Sequence, residues 1–226
     1  MDNYANRFHR NRDLINQERL DNILIVGIGG IGSQLVQLIA IMGFSSIQMW
    51  DSDIIEDVNL SSTIFKEENI DIAKVKAARN MIRELNSSTM IETNNCLFTN
   101  DADALPITVV CTDNMESRKI VYDRWLALED SRKLFIDARM DSLSLQVITA
   151  TKENDNYMST WYNDSEVEPA LCTMKHTIFT GALAAGAIVR NLFSVLMNHP
   201  YYLYEWHGMC PITIQTKHFI GDYLEV

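Results

Sequence analysis

The chain has 226 residues, of which 47% are apolar, 22% charged and 9% aromatic. These fractions exclude disordered, collagenous and low-complexity classes, and the length suits one α/β domain with a real core. Lys and Arg number 19 against 30 Asp and Glu, a formal net charge of −11, and with no basic stripe to offset it a nucleic-acid partner is not expected.

The first half of the chain alternates strand-like and helix-like stretches. Asn22 to Val26 is a short apolar run ending at glycines, which predicts a buried parallel strand. Ser33 to Met42 sets Leu35, Leu38, Ile39 and Met42 at helical spacing, and Ser46 to Trp50 reads as a second strand ending at Asp51. Ala73 to Leu85 carries Val75, Ala78, Ile82 and Leu85 on one face, an amphipathic helix. Strands are predicted over Met90 to Phe98, Ile107 to Cys111 and Lys133 to Asp137, with a helix over Met115 to Leu128. Beyond Arg139 the texture changes: Ser144 to Thr151 alternates as a strand, and Tyr157 to Tyr162 is read as another. A small-residue-rich helix follows from about Met174 to Met197, then a strand near Ile212 to Thr216. The order implies an α/β, Rossmann-like, mostly parallel sheet with helices on both faces, extended by antiparallel strands in its C-terminal part.

The stretch from Ile178 to Met197 is mostly apolar, but Arg190 and Asn191 interrupt it. A spanning helix wants about 20 consecutive apolar residues, so a buried core or interface helix is expected and no membrane partner. The cysteines Cys96, Cys111, Cys172 and Cys210 include no CxxC pair, so neither a zinc site nor a disulfide framework is expected. The start lacks a basic stretch followed by an apolar run, so the expected setting is the cytoplasm.

Gly27-Ile-Gly-Gly-Ile-Gly32 follows the first strand directly and opens the first helix. Glycines let the backbone turn tightly and approach a phosphate, which then meets helix N–H groups and the positive end of the helix dipole. Asp51, roughly two dozen residues after Gly27, ends the second strand, where a carboxylate can accept both hydrogen bonds of a ribose diol. Up to this point NAD and ATP are not separated. The next residues favour ATP: Lys74 opens a helix and Asp113 follows a strand, both at the carboxyl edge of the sheet. A lysine there neutralises phosphate oxygens, and a carboxylate facing it suits Mg2+ held jointly with phosphates. Hydride transfer needs neither.

These segments, Gly27 to Ser33, Asp51-Ser-Asp53 through Asn59-Leu60, Lys74-Val75 and Cys111-Thr-Asp-Asn114, resemble the ThiF/MoeB family of adenylyltransferases related to ubiquitin-activating enzymes. The resemblance runs in order and spacing over roughly residues 4 to 140 and more weakly to the end. It implies one ThiF-type domain over 1–226, with a nucleotide-binding half (1–140) and a partner-binding and dimerisation half (141–226). It further implies a homodimer that binds Mg-ATP and activates the C-terminal carboxylate of a ubiquitin-like protein or small peptide as an acyl-adenylate.

Carried across by motif, Gly27, Gly29, Gly30 and Gly32 form the nucleotide loop, Asp51 holds the ribose and Asp53 is a further cofactor-binding residue. Asn59 and Lys74 contact phosphates and the catalytic centre, Asp113 positions Mg2+, and Arg7 is the best match to an N-terminal arginine that reaches the γ-phosphate, usually across the dimer. Cys172 falls where several members carry a nucleophilic cysteine, although a buried structural cysteine fits equally well. Three departures stand out. The family pattern Asn-Leu-x-Arg-Gln is Asn59-Leu-Ser-Ser62-Thr63 here, so one phosphate-binding arginine is missing, with Arg7 or Arg139 as its substitute. The paired CxxC motifs of bacterial members are absent, and no appended transfer or rhodanese-like domain is expected. Two other readings remain: a catalytically weak member serving as a binding or heterodimer subunit, and an NAD(P)-dependent oxidoreductase.

Overall fold

The computed structural model describes residues 7–141, 143–166, 177–210 and 213–220. Its eight strands form one sheet in the order β3-β2-β1-β4-β5-β6-β7-β8. β1 (Asn22–Val26), β2 (Ser46–Trp50), β3 (Met90–Asn94), β4 (Ile107–Val110) and β5 (Leu134–Asp141) run parallel. β6 (Ser144–Thr151), β7 (Tyr202–Cys210) and β8 (Thr213–Ile220) extend the sheet antiparallel from β5. The expected architecture is therefore present.

Strand β1 is central, so both of its faces are covered, and Ile23, Leu24 and Ile25 are completely buried. Helix α1 (Gly32–Met42) lays Leu35, Val36, Ile39 and Ala40 on the sheet and stops at Gly43, whose φ of 106° lets its N–H bond back to Ile39 O. Helix α2 (Lys74–Leu85) buries Val75, Ala78 and Ile82. Helix α3 (Met115–Leu126) starts at Asn114, whose side chain accepts from Ser117 N at 2.8 Å. Helix α4 (Ile178–Leu196) begins at Thr177 and joins α1 and α2 in one core on the same face of the sheet. The opposite face is closed by α3 with an aromatic cluster of Tyr122, Trp125, Phe135 and Tyr157.

By length and composition α4 is apolar enough to cross a membrane. Here its inner face, including Ala184, Ala185, Ile188 and Leu192, is fully buried in the core. Asn191 on that face donates to Thr149 Oγ1 and Glu205 Oε1 at 2.9 and 3.1 Å. Its outer face leaves Phe179 and Leu183 about half exposed, at 50% and 54%.

The largest correction concerns Tyr157 to Tyr162. In place of a strand there is a 3₁₀ turn over Tyr157–Thr160. Its polar groups have partners away from the sheet edge, Tyr157 on Asp137 and Thr160 on Arg139. The edge of β6 that a strand could have used is taken by β7, which the sequence reading did not predict. Among the smaller differences, β3 ends at Asn94 rather than Phe98, α3 at Leu126 rather than Leu128, and β5 runs on to Asp141. The predicted start of the last helix, at 174–176, lies outside the described residues.

Candidate active site

Strand order reverses between β1 and β4, and at such a switch point the carboxyl ends of a parallel sheet leave a crevice. A cavity of about 720 Å³ opens there. Gly27, Gly29, Gly30, Asp51, Asp53, Lys74 and Asp113 all line it, so seven of the candidate residues converge on one space.

The glycine loop is dictated by close backbone contacts. Gly27 has a φ of 92°, and a Cβ there would lie 2.7 Å from the backbone carbon of Cys111. A Cβ on Gly32 would lie 2.0 Å from Gly27 O. Gly29 differs: it lines the cavity and a Cβ there would meet nothing within 4 Å, which leaves its backbone bare toward the open space. A Cβ on Gly181, in the first turn of α4, would come within 2.5 Å of Gly30 O, so that helix abuts the loop without an intervening side chain.

Asp51 closes the loop from β2, with Oδ2 accepting from Ile28 N at 2.6 Å and Oδ1 from Asp53 N at 2.9 Å. Burial pushes its carboxyl above the ordinary value of 3.8, against the pull of those two N–H groups and of Lys74. An acid that holds its proton more tightly folded than unfolded contributes stability that is complete below about pH 3.8. That contribution is lost as pH rises through the raised folded value. The melting temperature of wild type relative to Asp51→Asn should therefore fall as pH rises above about 4. Differential scanning calorimetry reads this; a flat difference would sink the assignment of a buried charge at Asp51.

Lys74, the first residue of α2, is buried at 8% exposure and directs Nζ to Asp53 Oδ2 at 2.7 Å. Asp53 is well exposed, so the pair holds the ammonium at the cavity rather than burying it. Across the crevice Asp113 is exposed, and its carboxylate accepts only from Asn114 Nδ2, at 3.2 Å, among the described residues. No group of three or more His, Cys, Asp or Glu able to hold a metal occurs among them. A Mg2+ here would thus need phosphate oxygens to complete its shell, the usual arrangement for a nucleotide-bound ion.

Two buried polar atoms of cavity-lining residues, Trp50 Nε1 and Thr112 Oγ1, have no hydrogen-bond partner among the described residues. Buried polar groups seldom go unsatisfied, and a nucleotide offers ring nitrogens and hydroxyls to such donors. Cys111 also lines the cavity, with its thiol pushed up to about 12 by burial, which leaves it an unreactive structural cysteine.

Other candidates lie elsewhere. Asn59 is not part of the cavity lining; its Oδ1 accepts from Glu56 N and caps a short 3₁₀ turn. Ser62, at the position of the missing arginine, has its carbonyl 3.3 Å from where a Gly30 Cβ would be. Arg7 is exposed and donates to Leu85 O at the end of α2, outside the lining of this cavity. Cys172 falls outside the described residues.

Most of the β5 wall is not legible in the sequence, although Arg139 is offered there as a substitute for the missing arginine. Arg118, Tyr162 and Asp164 line the cavity there together with Arg139, and Asp137 lies buried beneath the two arginines. One signal was present: Arg118 interrupts the buried stripe Met115, Tyr122 and Trp125 of α3, and an arginine on a core-facing stripe requires a buried acceptor.

A model of the ThiF family matches residues 7–217. Ubiquitin-like modifier-activating enzyme 5 of Dictyostelium discoideum is 24% identical over 135 residues, 51% of this chain and 35% of that protein. Adenylyltransferase and sulfurtransferase MOCS3 of Aedes aegypti is 30% identical over 114 residues, 48% of this chain and 26% of that protein. The chain thus spans only about a third or less of these curated relatives. Among solved structures, E. coli MccB with MccA-N7isoASN superimposes with a TM-score of 0.78 at 17% identity, over 95% of this chain and 72% of that one. E. coli MccB with ATP gives 0.69 at 17%, over 90% and 65%. At this identity the likeness establishes the fold.

Proposed function

Because the chain belongs to the ThiF family, we propose that it is an ATP-dependent adenylyltransferase that activates the C-terminal carboxylate of a ubiquitin-like protein or small peptide. The observation that carries this reading is the convergence of Asp51, Lys74 and Asp113 on one cavity beside the glycine loop. The bare edge at Gly29 and the orphaned Trp50 and Thr112 donors support a nucleotide as its occupant.

A carboxylate is already ionised at neutral pH, so its adenylation needs no general base. The chain's task is alignment and charge. Asp51 holds the ribose diol, the loop amides cradle phosphates, and Lys74 shifts between Asp53 and a phosphate oxygen as the nucleotide enters. Asp113 would hold Mg2+, which neutralises the departing pyrophosphate when bound. A homodimer accords with the exposed Ile178, Phe179 and Leu183 on α4, with Ala182 and Gly186 exposed beside them. In that dimer Arg7 would serve the partner's nucleotide.

A second reading, a catalytically weak binding subunit, draws on the serine at position 62. Thermal shift separates them. Mg-ATP at about 100 times its dissociation constant adds about 2.7 kcal/mol, or at least about 5 °C for a chain of this size, and NAD adds nothing. Stabilisation by NAD alone would make the protein an oxidoreductase, and by neither a binding subunit.

A further inference from the structure

The wall of the cavity beneath β5 contains a charge cluster with no task in the scheme above. Asp137 is fully buried and accepts from Arg118 Nη1, from Arg139 Nε at 2.7 Å and from Tyr157 OH at 3.0 Å. One carboxylate between two guanidiniums leaves one positive charge uncompensated within the cluster. Both arginines are buried, at 5% and 6% exposure, yet both line the cavity. The other carboxylates on this wall, Asp113, Asp141 and Asp164, are exposed, where solvent screens them.

Arg139 is also rigidly aimed. Nη1 donates to Thr160 O at 2.7 Å and Nη2 to Thr160 Oγ1 at 3.2 Å, and the guanidinium faces the rings of Tyr157 and Tyr162 at 5.8 and 5.4 Å. A guanidinium has five N–H donors, so these bonds and the one to Asp137 leave donors for a ligand. Those are one N–H on each Nη, and a charge-assisted bond from such a group matches an oxygen of a carboxylate.

Resting on the adenylation reading, we propose that Arg139, held by Asp137 and flanked by Arg118, binds the substrate's terminal carboxylate and aims it at the α-phosphate. Asp51 just after β2 and the loop after β1 assign ribose and phosphates to one side of the switch point. Asp113 and Arg139 follow β4 and lie on β5, the other side. The incoming carboxylate approaches from there. One of its oxygens forms the new bond to the α-phosphorus as the bond to the β-phosphate oxygen breaks, and that electron pair leaves with pyrophosphate. The second oxygen becomes the acyl carbonyl and stays on Arg139, and no proton moves.

The test is calorimetric binding of three probes to wild type and Arg139→Gln: Mg-ATP, sulfamoyl-adenosine, and acetylsulfamoyl-adenosine, which adds the acyl group and the negative charge of its acidified N–H. Loss of a charge-assisted hydrogen bond should weaken the acetylated probe about tenfold or more, with the other two within about twofold. Equal weakening of all three would give the arginine to the nucleotide, and unchanged affinity throughout would leave it a structural strut; either result overturns the proposal. If wild type binds none of the probes, the adenylation reading itself falls. Should Arg139→Gln fail to fold, Arg139→Lys keeps the charge and loses the fixed, planar set of donors. It should weaken the acetylated probe alone, by about threefold or more, and equal affinity for the two sulfamates relative to wild type overturns the proposal.

Discussion

Asp113→Ala is expected to abolish ATP–pyrophosphate exchange, a fall of at least about two orders of magnitude, with the melting temperature in the absence of nucleotide unchanged within about 1 °C. Both halves of this expectation follow from where the residue lies. Asp113 is exposed beyond the end of β4, and its one described hydrogen bond comes from the neighbouring Asn114 side chain, so truncation leaves no cavity and no orphaned partner in the core. Its effect must come from charge. The described residues offer no cluster that could retain a divalent cation alone, so removing Asp113 leaves only phosphate and water to hold it. Incorporation of labelled pyrophosphate into ATP, at saturating carboxylate substrate and graded Mg2+, reads the loss. Undiminished exchange would remove the metal assignment, and recovery at high Mg2+ would confirm it.

The second large effect is on folding. Gly32→Ala should destabilise the protein by about 3 kcal/mol or more, lowering its melting temperature by at least about 6 °C. A Cβ at Gly32 would lie 2.0 Å from Gly27 O and 2.9 Å from its carbonyl carbon. Both are backbone atoms of the turn that ends β1, and Gly27 is itself pinned against Cys111. Neither side can yield cheaply. Gly29→Ala is the matched control: with nothing within 4 Å, it should melt within about 1 °C of wild type. Its methyl would instead crowd the space above the loop and weaken Mg-ATP binding. Thermal unfolding of the pair, with and without nucleotide, checks both; a stable Gly32→Ala would mean that the loop is looser than its contacts imply.

Local signals made the nucleotide half readable in advance. Runs such as Ile23-Leu-Ile25, glycines at a strand end, and Lys74 at a helix start depend on neighbours in the chain, and the cavity gathers their polar residues as expected. What stayed hidden depends on distant partners. Tyr157 has the aromatic texture of a strand, but its hydroxyl is committed to Asp137, 20 positions away. Asp137 and Arg139 read as the end of a strand because nothing nearby in sequence shows that a helix contributes Arg118 to the same carboxylate. β7 was missed because Tyr202 to Cys210 mixes Tyr204, Glu205, Trp206 and His207 with no clean alternation, and the buried Glu205 has its partners in Arg190 and Asn191 of α4 and in His207 of its own strand. Arg7 and Asn59 fit a pattern by spacing; within one chain their side chains serve Leu85 O and a capping turn.

The meeting of Gly181 with Gly30 bears on how the molecule could be dissected. Two backbones in direct contact, with Ala184, Ala185 and Ile188 continuing into the core that also holds Leu35 and Ile39, make the late helix a buttress for the early loop. A fragment cut near residue 140 would keep every glycine of the loop and both acids of β2's exit. It would also strip the apolar face from α1 and leave the loop unbraced. The nucleotide half is thus a unit of sequence and not of stability, and shortening this protein to a minimal ATP-binding piece would fail at the first step.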